Sequence, residues 1–203
     1  MEIIVASRNA GKIEELTKLL SPLEIKTLSL DDFQEIKEVE EDGETYRENA
    51  IKKVQAVVKA TGKMALADDS GLEVNALQGR PGIKSARFAG EGATDHEKNL
   101  KLLRLMENVP DDERGATFVC HVAIAGPGGL LKVVEGSCRG TIIREPRGGG
   151  GFGYDPLFIP FGYNQTFAEL FPEVKNRISH RGRALEKAAL FLEGYIHNSQ
   201  RTR

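Results

Sequence analysis

Ile3-Ile4-Val5-Ala6 is an unbroken apolar run inside a predicted strand from Glu2 to Ala6, and the next apolar positions, Ile13, Leu16, Leu19 and Leu20, fall at helical spacing. The pattern is strand, loop, helix, with Ser7-Arg8-Asn9-Ala10-Gly11-Lys12 as the loop. Glu24 to Leu28 is a second predicted strand, and Asp31 to Gly43 an acidic loop carrying Glu35, Glu38, Glu40, Glu41 and Asp42. Thr45 and Glu48 have capping-box spacing ahead of Ala50, Ile51, Val54, Val57 and Val58, which predicts a long helix stopped at Gly62. Met64 to Ala67 then forms a short buried strand ending in Asp68-Asp69-Ser70-Gly71, which Leu72 to Val74 is expected to resume.

The glycine-rich stretch 77–93 is a loop, and Thr94 with Glu97 forms a second capping box before Leu100, Leu103 and Met106 of a helix ending near Pro110. Residues 115–125 and 130–138 are rich in Val, Ile, Thr and Ala; Gly126-Pro127-Gly128-Gly129 separates them, which predicts a hairpin that Ile142 and Ile143 extend. Leu157-Phe158-Ile159 is a short strand, and Ser179 is placed to cap a final helix carrying Leu185, Ala188, Ala189, Leu192 and Ile196. Helices enclosing mixed strands make the chain α/β or α+β with a mixed sheet.

Composition narrows this picture. With 203 residues, 40% hydrophobic and 29% charged, the chain is long enough for one large domain or two lobes, which excludes disorder and collagen. Its 28 Lys+Arg against 30 Asp+Glu leave a formal charge of −2, so no global basic field exists to hold nucleic acid. No apolar run reaches the roughly 18–20 residues a membrane span needs, and the first residues lack a secretion pattern, so the expected compartment is the cytoplasm. Cys120 and Cys138 are too few for a disulfide framework and wrongly spaced for a zinc clamp, and read as buried reduced thiols.

Several segments carry candidate chemistry. Residues 7–12 join a strand to a helix, where unpaired N–H groups and the Lys12 charge suit a phosphate; a plain helix start capped by Asn9 is the alternative. They are not a Walker A loop, because Ile13 stands where a magnesium-binding Ser or Thr belongs. Asp68 and Asp69 project to opposite sides of a strand, so one of them points into any given site as a metal ligand or general base, unless the four residues are only a turn. Gly148, Gly150 and Gly153 match G-x-G-x-x-G, yet no helix follows, so the dinucleotide reading fails. Phe152 among glycines instead suggests a stacking platform for a flat ligand, or a core residue. Lys175-Asn176-Arg177-Ile178-Ser179-His180-Arg181-Gly182-Arg183 is a dense basic cluster preceding or opening the last helix, where cations oppose the macrodipole; an anion or carbonyl partner, or a solvated face, explains it.

Ser-Arg-Asn-Ala-Gly-Lys, Glu-Asn-Ala, Asp-Asp-Ser-Gly-Leu, Pro-Gly-Ile-Lys-Ser-Ala-Arg, Gly-Phe-Gly-Tyr-Asp-Pro and Ser-His-Arg-Gly-Arg-Ala follow one another in the order of the Ham1/RdgB family of inosine and xanthosine triphosphate pyrophosphatases, which the chain resembles from residue 3 to about 192. The family's first loop usually reads Thr-Gly-Asn; here it is Ser7-Arg8-Asn9. The resemblance implies an α/β fold of two lobes around a long mixed sheet with flanking helices and a central cleft, one catalytic domain over 1–203, and a homodimer. It also implies magnesium-dependent hydrolysis of non-canonical purine nucleoside triphosphates to the monophosphate and pyrophosphate. By the same resemblance Ser7, Arg8, Asn9, Ala10, Gly11 and Lys12 hold phosphates, and Glu40 and Asp69 hold Mg²⁺, with Glu41 adjoining Glu40 as the alternative ligand. Asp69 is the implied proton acceptor, and Ser70, Phe152, Gly153, Tyr154, Asp155, Lys175, His180 and Arg181 bind substrate. A pyrophosphatase for other modified nucleotides, a nucleotide sensor and a phosphotransferase are the competing functions.

Overall fold

In the computed structural model the described residues are 1–23, 25–33, 36 and 39–201, with the backbone alone at 19 and 199–201. Glu24, expected in the second strand, and Glu35 and Glu38, expected in the acidic loop, lie outside them. The strands are β1 (Glu2–Val5), β2 (Lys26–Ser29), β3 (Ala65–Val74), β4 (Gly115–Gly126), β5 (Gly129–Ile142) and β6 (Phe158–Pro160). The helices are α1 (Ala10–Leu20), α2 (Tyr46–Thr61), α3 (Asp95–Leu105), α4 (Pro172–Ile178) and α5 (His180–Arg201). The strands form one sheet in the order β2-β1-β3-β4-β5-β6. In it β1 runs parallel to β2 and β3, and β5 antiparallel to β6, which is the expected α/β class with a mixed sheet.

Two compact units divide the chain: Met1–Asp69, Cys120–Gly136 and Arg181–Arg203 in the first, Ser70–Val119 and Ser137–His180 in the second. In β1 and the first half of β3 the apolar runs are continuous because both faces of these strands are covered. Ile3, Val5 and Leu66 pack with Leu16 and Leu20 of α1 and with Ala184, Leu185, Ala188 and Leu192 of α5. Ile4, Ala65 and Ala67, one residue out of phase, pack with Ala50, Val54 and Val57 of α2. Strand alternation thus sends even and odd positions of β3 to different helices. The core of the second unit gathers Leu72 and Val74, Leu102 of α3 and Met106 just past its end, and the rings of Phe118, Phe158 and Phe167.

Local signals set the helix starts. Thr94 and Glu97 make both arms of the capping box at α3. At α2 the Glu48 N–H donates to Thr45 Oγ1 at 3.1 Å, but the Glu48 carboxylate accepts from Glu44 N–H at 2.8 Å, so the expected box is displaced by one residue. Gly62, at φ +65°, closes α2 by donating its N–H to the Val58 carbonyl at 2.8 Å.

Three expectations need correction. Asp68-Asp69-Ser70-Gly71 is neither a strand end nor a turn, because β3 runs through it without interruption to Val74. Helix α3 stops at Leu105, well before Pro110. Lys175 and Arg177 belong to a separate helix, α4, which starts with Pro172 at its first position. They lie in its last turn, where cations favour the macrodipole, so the opposed-dipole argument applies only to His180, Arg181 and Arg183 at the start of α5.

A Cβ at Gly140 would collide with the Ile159 carbonyl oxygen and the Phe158 ring, which is how β5 and β6 approach so closely. A Cβ at Gly126 would meet only Leu131 at 3.6 Å and Met64 at 3.8 Å, in ordinary contact. Gly140→Ala should therefore lose about 1–3 kcal/mol in chemical denaturation. Gly126→Ala should stay within roughly 0.5 kcal/mol of the native chain. Equal losses would show that the β5–β6 approach is not what Gly140 serves.

Candidate active site

Asp68 and Asp69 are buried at the point where β3 alternation separates them. Asp68, in phase with Leu66, meets Lys12 Nζ at 3.0 Å and Arg181 Nε at 3.2 Å, one cation from α1 and one from α5. Burial alone would raise its pKa, but Lys12, Arg181 and Lys53 drive it far below the usual carboxylate range. Arg181 also pairs through Nη1 with Glu15 of α1, and its pKa is raised because Asp68 and Glu15 outweigh its burial. Cys120, 4.0 Å from Asp68, is pushed up to about 12 by burial and then by that carboxylate, which makes it an inert thiol, as expected for a buried cysteine.

Asp69, in phase with Ala67, faces α2. Its Oδ2 accepts from Asn49 Nδ2 at 3.1 Å and its Oδ1 from Lys53 Nζ at 3.2 Å. Lys53 Nζ also reaches Glu41 at 2.8 Å, so one ammonium bridges two carboxylates. Burial raises the Asp69 pKa and the nearby Glu41 charge adds to it, while Lys53, Lys12 and Asn49 hold it down in part. Neighbouring carboxylates thus shift in opposite directions: Asp68 is a fixed anion, and Asp69 is the better proton acceptor.

The loop 7–12 is a capped helix start whose lysine turns inward. Asn9 caps α1, accepting the Lys12 N–H at 3.0 Å, and Ser7 Oγ accepts the Asn9 N–H at 3.2 Å. Arg8, standing where the resemblance has glycine, points to the segment after β2, donating to Asp31 at 2.8 Å and to the Ile36 carbonyl at 2.9 Å. Of the two acidic-loop candidates, Glu41 shares Lys53 with Asp69, whereas Glu40 is exposed.

In the second unit the loop from Gly151 to Asp155 is built around one carboxylate. Asp155 Oδ2 accepts the Phe152 N–H at 2.9 Å and Lys175 Nζ at 2.6 Å, and the same ammonium lies 4.9 Å from the Phe152 ring centroid. Gly151, at φ +70°, leaves no room for a Cβ against Asp155. Tyr154 is buried and donates its hydroxyl to the Ser85 carbonyl at 3.0 Å. Phe152 itself is half-buried, and the His180 ring stacks on Phe118 with centroids 4.6 Å apart. Ser70 continues β3 directly after Asp69.

The residue-by-residue reading missed Asn49, Lys53 and Glu15. Asn49 and Lys53 are spaced i, i+4 on α2, a signal for one shared face, but nothing in the sequence says which strand that face meets.

The Ham1 family model matches residues 3–191. This chain belongs to the Ham1 family. A dITP/XTP pyrophosphatase of Desulforamulus reducens is 55% identical over 198 residues, covering 97% of this chain and 98% of that protein. One of the same name from Geobacter sulfurreducens is 51% identical over 183 residues, covering 90% of this chain and 92% of its own. The solved HAM1 protein of Coxiella burnetii superposes with a TM-score of 0.86 at 44% identity, covering 96% of this chain and 99% of its own. The fold of this Ham1 member is therefore that of an experimentally solved relative.

Asp68 ties the start of α1 to the start of α5, so Asp68→Asn should lower stability by about 3–5 kcal/mol at pH 7, the scale of breaking a buried ion pair. Because its folded pKa is depressed, this stability is present above the unfolded value and is lost as pH falls through the acid range. The gap in melting temperature between native and Asp68→Asn chains should thus narrow below about pH 4. A gap that is constant down to pH 2 would assign the loss to packing instead.

Proposed function

We propose that this chain hydrolyses non-canonical purine nucleoside triphosphates, those of deoxyinosine, inosine and xanthosine, to the nucleoside monophosphate and pyrophosphate. The observation that carries this reading is the 55% identity, over 97% of the chain, with a relative named dITP/XTP pyrophosphatase. We further propose that it acts as a homodimer in the cytoplasm, removing these nucleotides from the precursor pool. No described helix is long and apolar enough to cross a membrane.

In this reaction one water is consumed, the anhydride between the α- and β-phosphates is broken, and pyrophosphate leaves. Residues 7–12 hold the polyphosphate, with Lys12 supplying charge while Asp68 fixes its direction. Asp69 accepts the proton of the attacking water, a role that suits a carboxylate whose pKa burial has raised. Asp69 with Glu40 or Glu41 would hold Mg²⁺. The donors fit: they are hard oxygens, a cation already bridges Glu41 and Asp69, and magnesium needs only one or two carboxylates besides phosphate and water. Bound there, the metal would supply neutralisation of developing phosphate charge.

Base recognition falls to the second group of residues. Phe152 stacks on the purine, with Ser70, Gly153, Tyr154 and Asp155 also binding substrate, and a donor from Lys175, His180 or Arg181 selects an acceptor at O6. Hypoxanthine and xanthine offer that acceptor with a donor at N1, whereas adenine reverses both. A donor facing the adenine amino group would be left unpaired, costing about 1–3 kcal/mol. Adenosine triphosphate should therefore be a poor substrate.

The test is pyrophosphate release across a nucleotide panel with and without Mg²⁺. Steady release from inosine and xanthosine triphosphates is expected; binding without turnover would indicate a sensor, and turnover without free pyrophosphate a phosphotransferase. Asp69→Asn should lower kcat by roughly 10²-fold or more. Near-normal kcat in that variant would remove Asp69 from the chemistry. Lys12→Ala should weaken inosine and adenosine triphosphates alike, because phosphate contacts carry no information about the base; a changed ratio between them would contradict the phosphate assignment.

A further inference from the structure

The residue next to the proposed platform, Gly153, is gripped from outside its own loop. Its N–H donates to Asp95 Oδ2 at 2.6 Å, and its carbonyl accepts from Asn99 Nδ2 at 3.0 Å. Asp95 and Asn99 are spaced i, i+4 on α3, so one helix face presents an acceptor and a donor to the two polar groups of a single residue. Gly153 sits at φ +63°, and hydrogen bonds to both of its polar groups restrain the backbone that leads from Phe152 to Tyr154. Asp95 is itself held by Lys98 at 2.6 Å.

Asn99 is an expensive choice for this position. The residue is 6% exposed, and its Oδ1 has no hydrogen-bond partner among the described residues. A buried acceptor left without a partner destabilises, so an apolar residue of the same size would serve a purely structural helix better. What the amide supplies is the bond to the Gly153 carbonyl. Bonds from Phe152 N–H to Asp155, from Asp155 N–H to the Phe152 carbonyl, from Lys175 to Asp155 and from the Tyr154 hydroxyl to the Ser85 carbonyl fix the residues on either side, while Gly153 is held from α3.

We propose that Asp95 and Asn99 are positioning residues for base binding, which clamp Gly153 and thereby hold the Phe152 ring in its stacking orientation. This rests on the reading in which Phe152 stacks on the purine. The clamp touches neither phosphates nor the attacking water, so its loss should act on substrate binding and leave the chemical step alone.

The experiment measures kcat and KM for inosine triphosphate in the native chain, Asn99→Leu, Phe152→Ala and the double variant, with thermal melts of each. Asn99→Leu exchanges an unpartnered Oδ1 for an unpartnered Gly153 carbonyl, so it is expected to melt within about 5 °C of the native chain yet raise KM up to roughly tenfold, the scale of one lost hydrogen bond, with kcat little changed. In the Phe152→Ala background the same substitution should add nothing, because the ring it positions is gone. A second pair guards against misfolding at Asn99. Asp95→Ala should raise KM, whereas Asp95→Asn, which keeps an acceptor oxygen for the Gly153 N–H, should stay near the native value. If Phe152→Ala raises KM but Asn99→Leu and Asp95→Ala do not, or if the effects simply add, the clamp proposal is overturned and the platform stands. Should Phe152→Ala leave KM unchanged, the platform reading fails and the clamp proposal falls with it.

Discussion

An ionised carboxylate with no exposure to water must be met by cations, and Asp68 imposes that requirement on the first unit. The cost of removing a carboxylate from water is several kcal/mol and is offset only where geometry is good. Here Lys12 and Arg181 converge on Asp68, and Arg181 in turn engages Glu15, so β3, α1 and α5 are held in register by one connected set of charges. Arg181 suits this place because its planar fork can serve two carboxylates at once, which a lysine ammonium does with less geometric definition. The apolar packing of Leu66 with α1 and α5 ends where this charge cluster begins, so hydrophobic core and ionic site are successive positions on the same strand face.

The same strand gives the opposite environment one residue later. Among the described residues Asp69 meets Asn49 and Lys53 in place of an arginine, with a second carboxylate, Glu41, acting through Lys53. Two acids side by side in sequence are thus driven apart in basicity by which helix each faces, not by their own chemistry. Burial dominates Asp69 and paired cations dominate Asp68. A shift of β3 by one residue would exchange the two roles, and the packing of Leu66 against one set of helices and Ala65 and Ala67 against another prevents it.

Much of this was legible in the sequence, and the parts that were not share a cause. Periodicity and caps found α1, α2 and α3, and strand alternation separated Asp68 from Asp69 before any contact was known. Alternation could not say which side was which, since Lys53 and Arg181 are distant in sequence and only packing brings them to β3. The turn reading of Asp-Asp-Ser-Gly failed because β3 is buried along this stretch, and tertiary pairing overrides the local preference of Asp, Ser and Gly for turns. Helix α4 was hidden for another reason: seven residues are too few for a periodic signal, and its Pro172 reads equally as a helix start or a loop residue. The family motifs named the residues of the Gly151–Asp155 loop, but not the lysine-to-carboxylate bond that organises it.

That bond limits what Lys175 can do as a recognition group. Its ammonium is bound to Asp155 and lies over the Phe152 ring, so any purine atom it meets is met by a charge already oriented by protein. Asp155 also holds the Phe152 N–H, and one carboxylate therefore fixes both the ring that would stack and the donor that would read the base edge. Such coupling removes conformational freedom before a ligand arrives, which lowers the ordering cost of binding. It also demands glycine at 151, where φ is +70° and a Cβ would displace Asp155. At Gly151 the glycine run thus serves rigidity: the missing Cβ lets the Asp155 carboxylate approach the backbone and fix it.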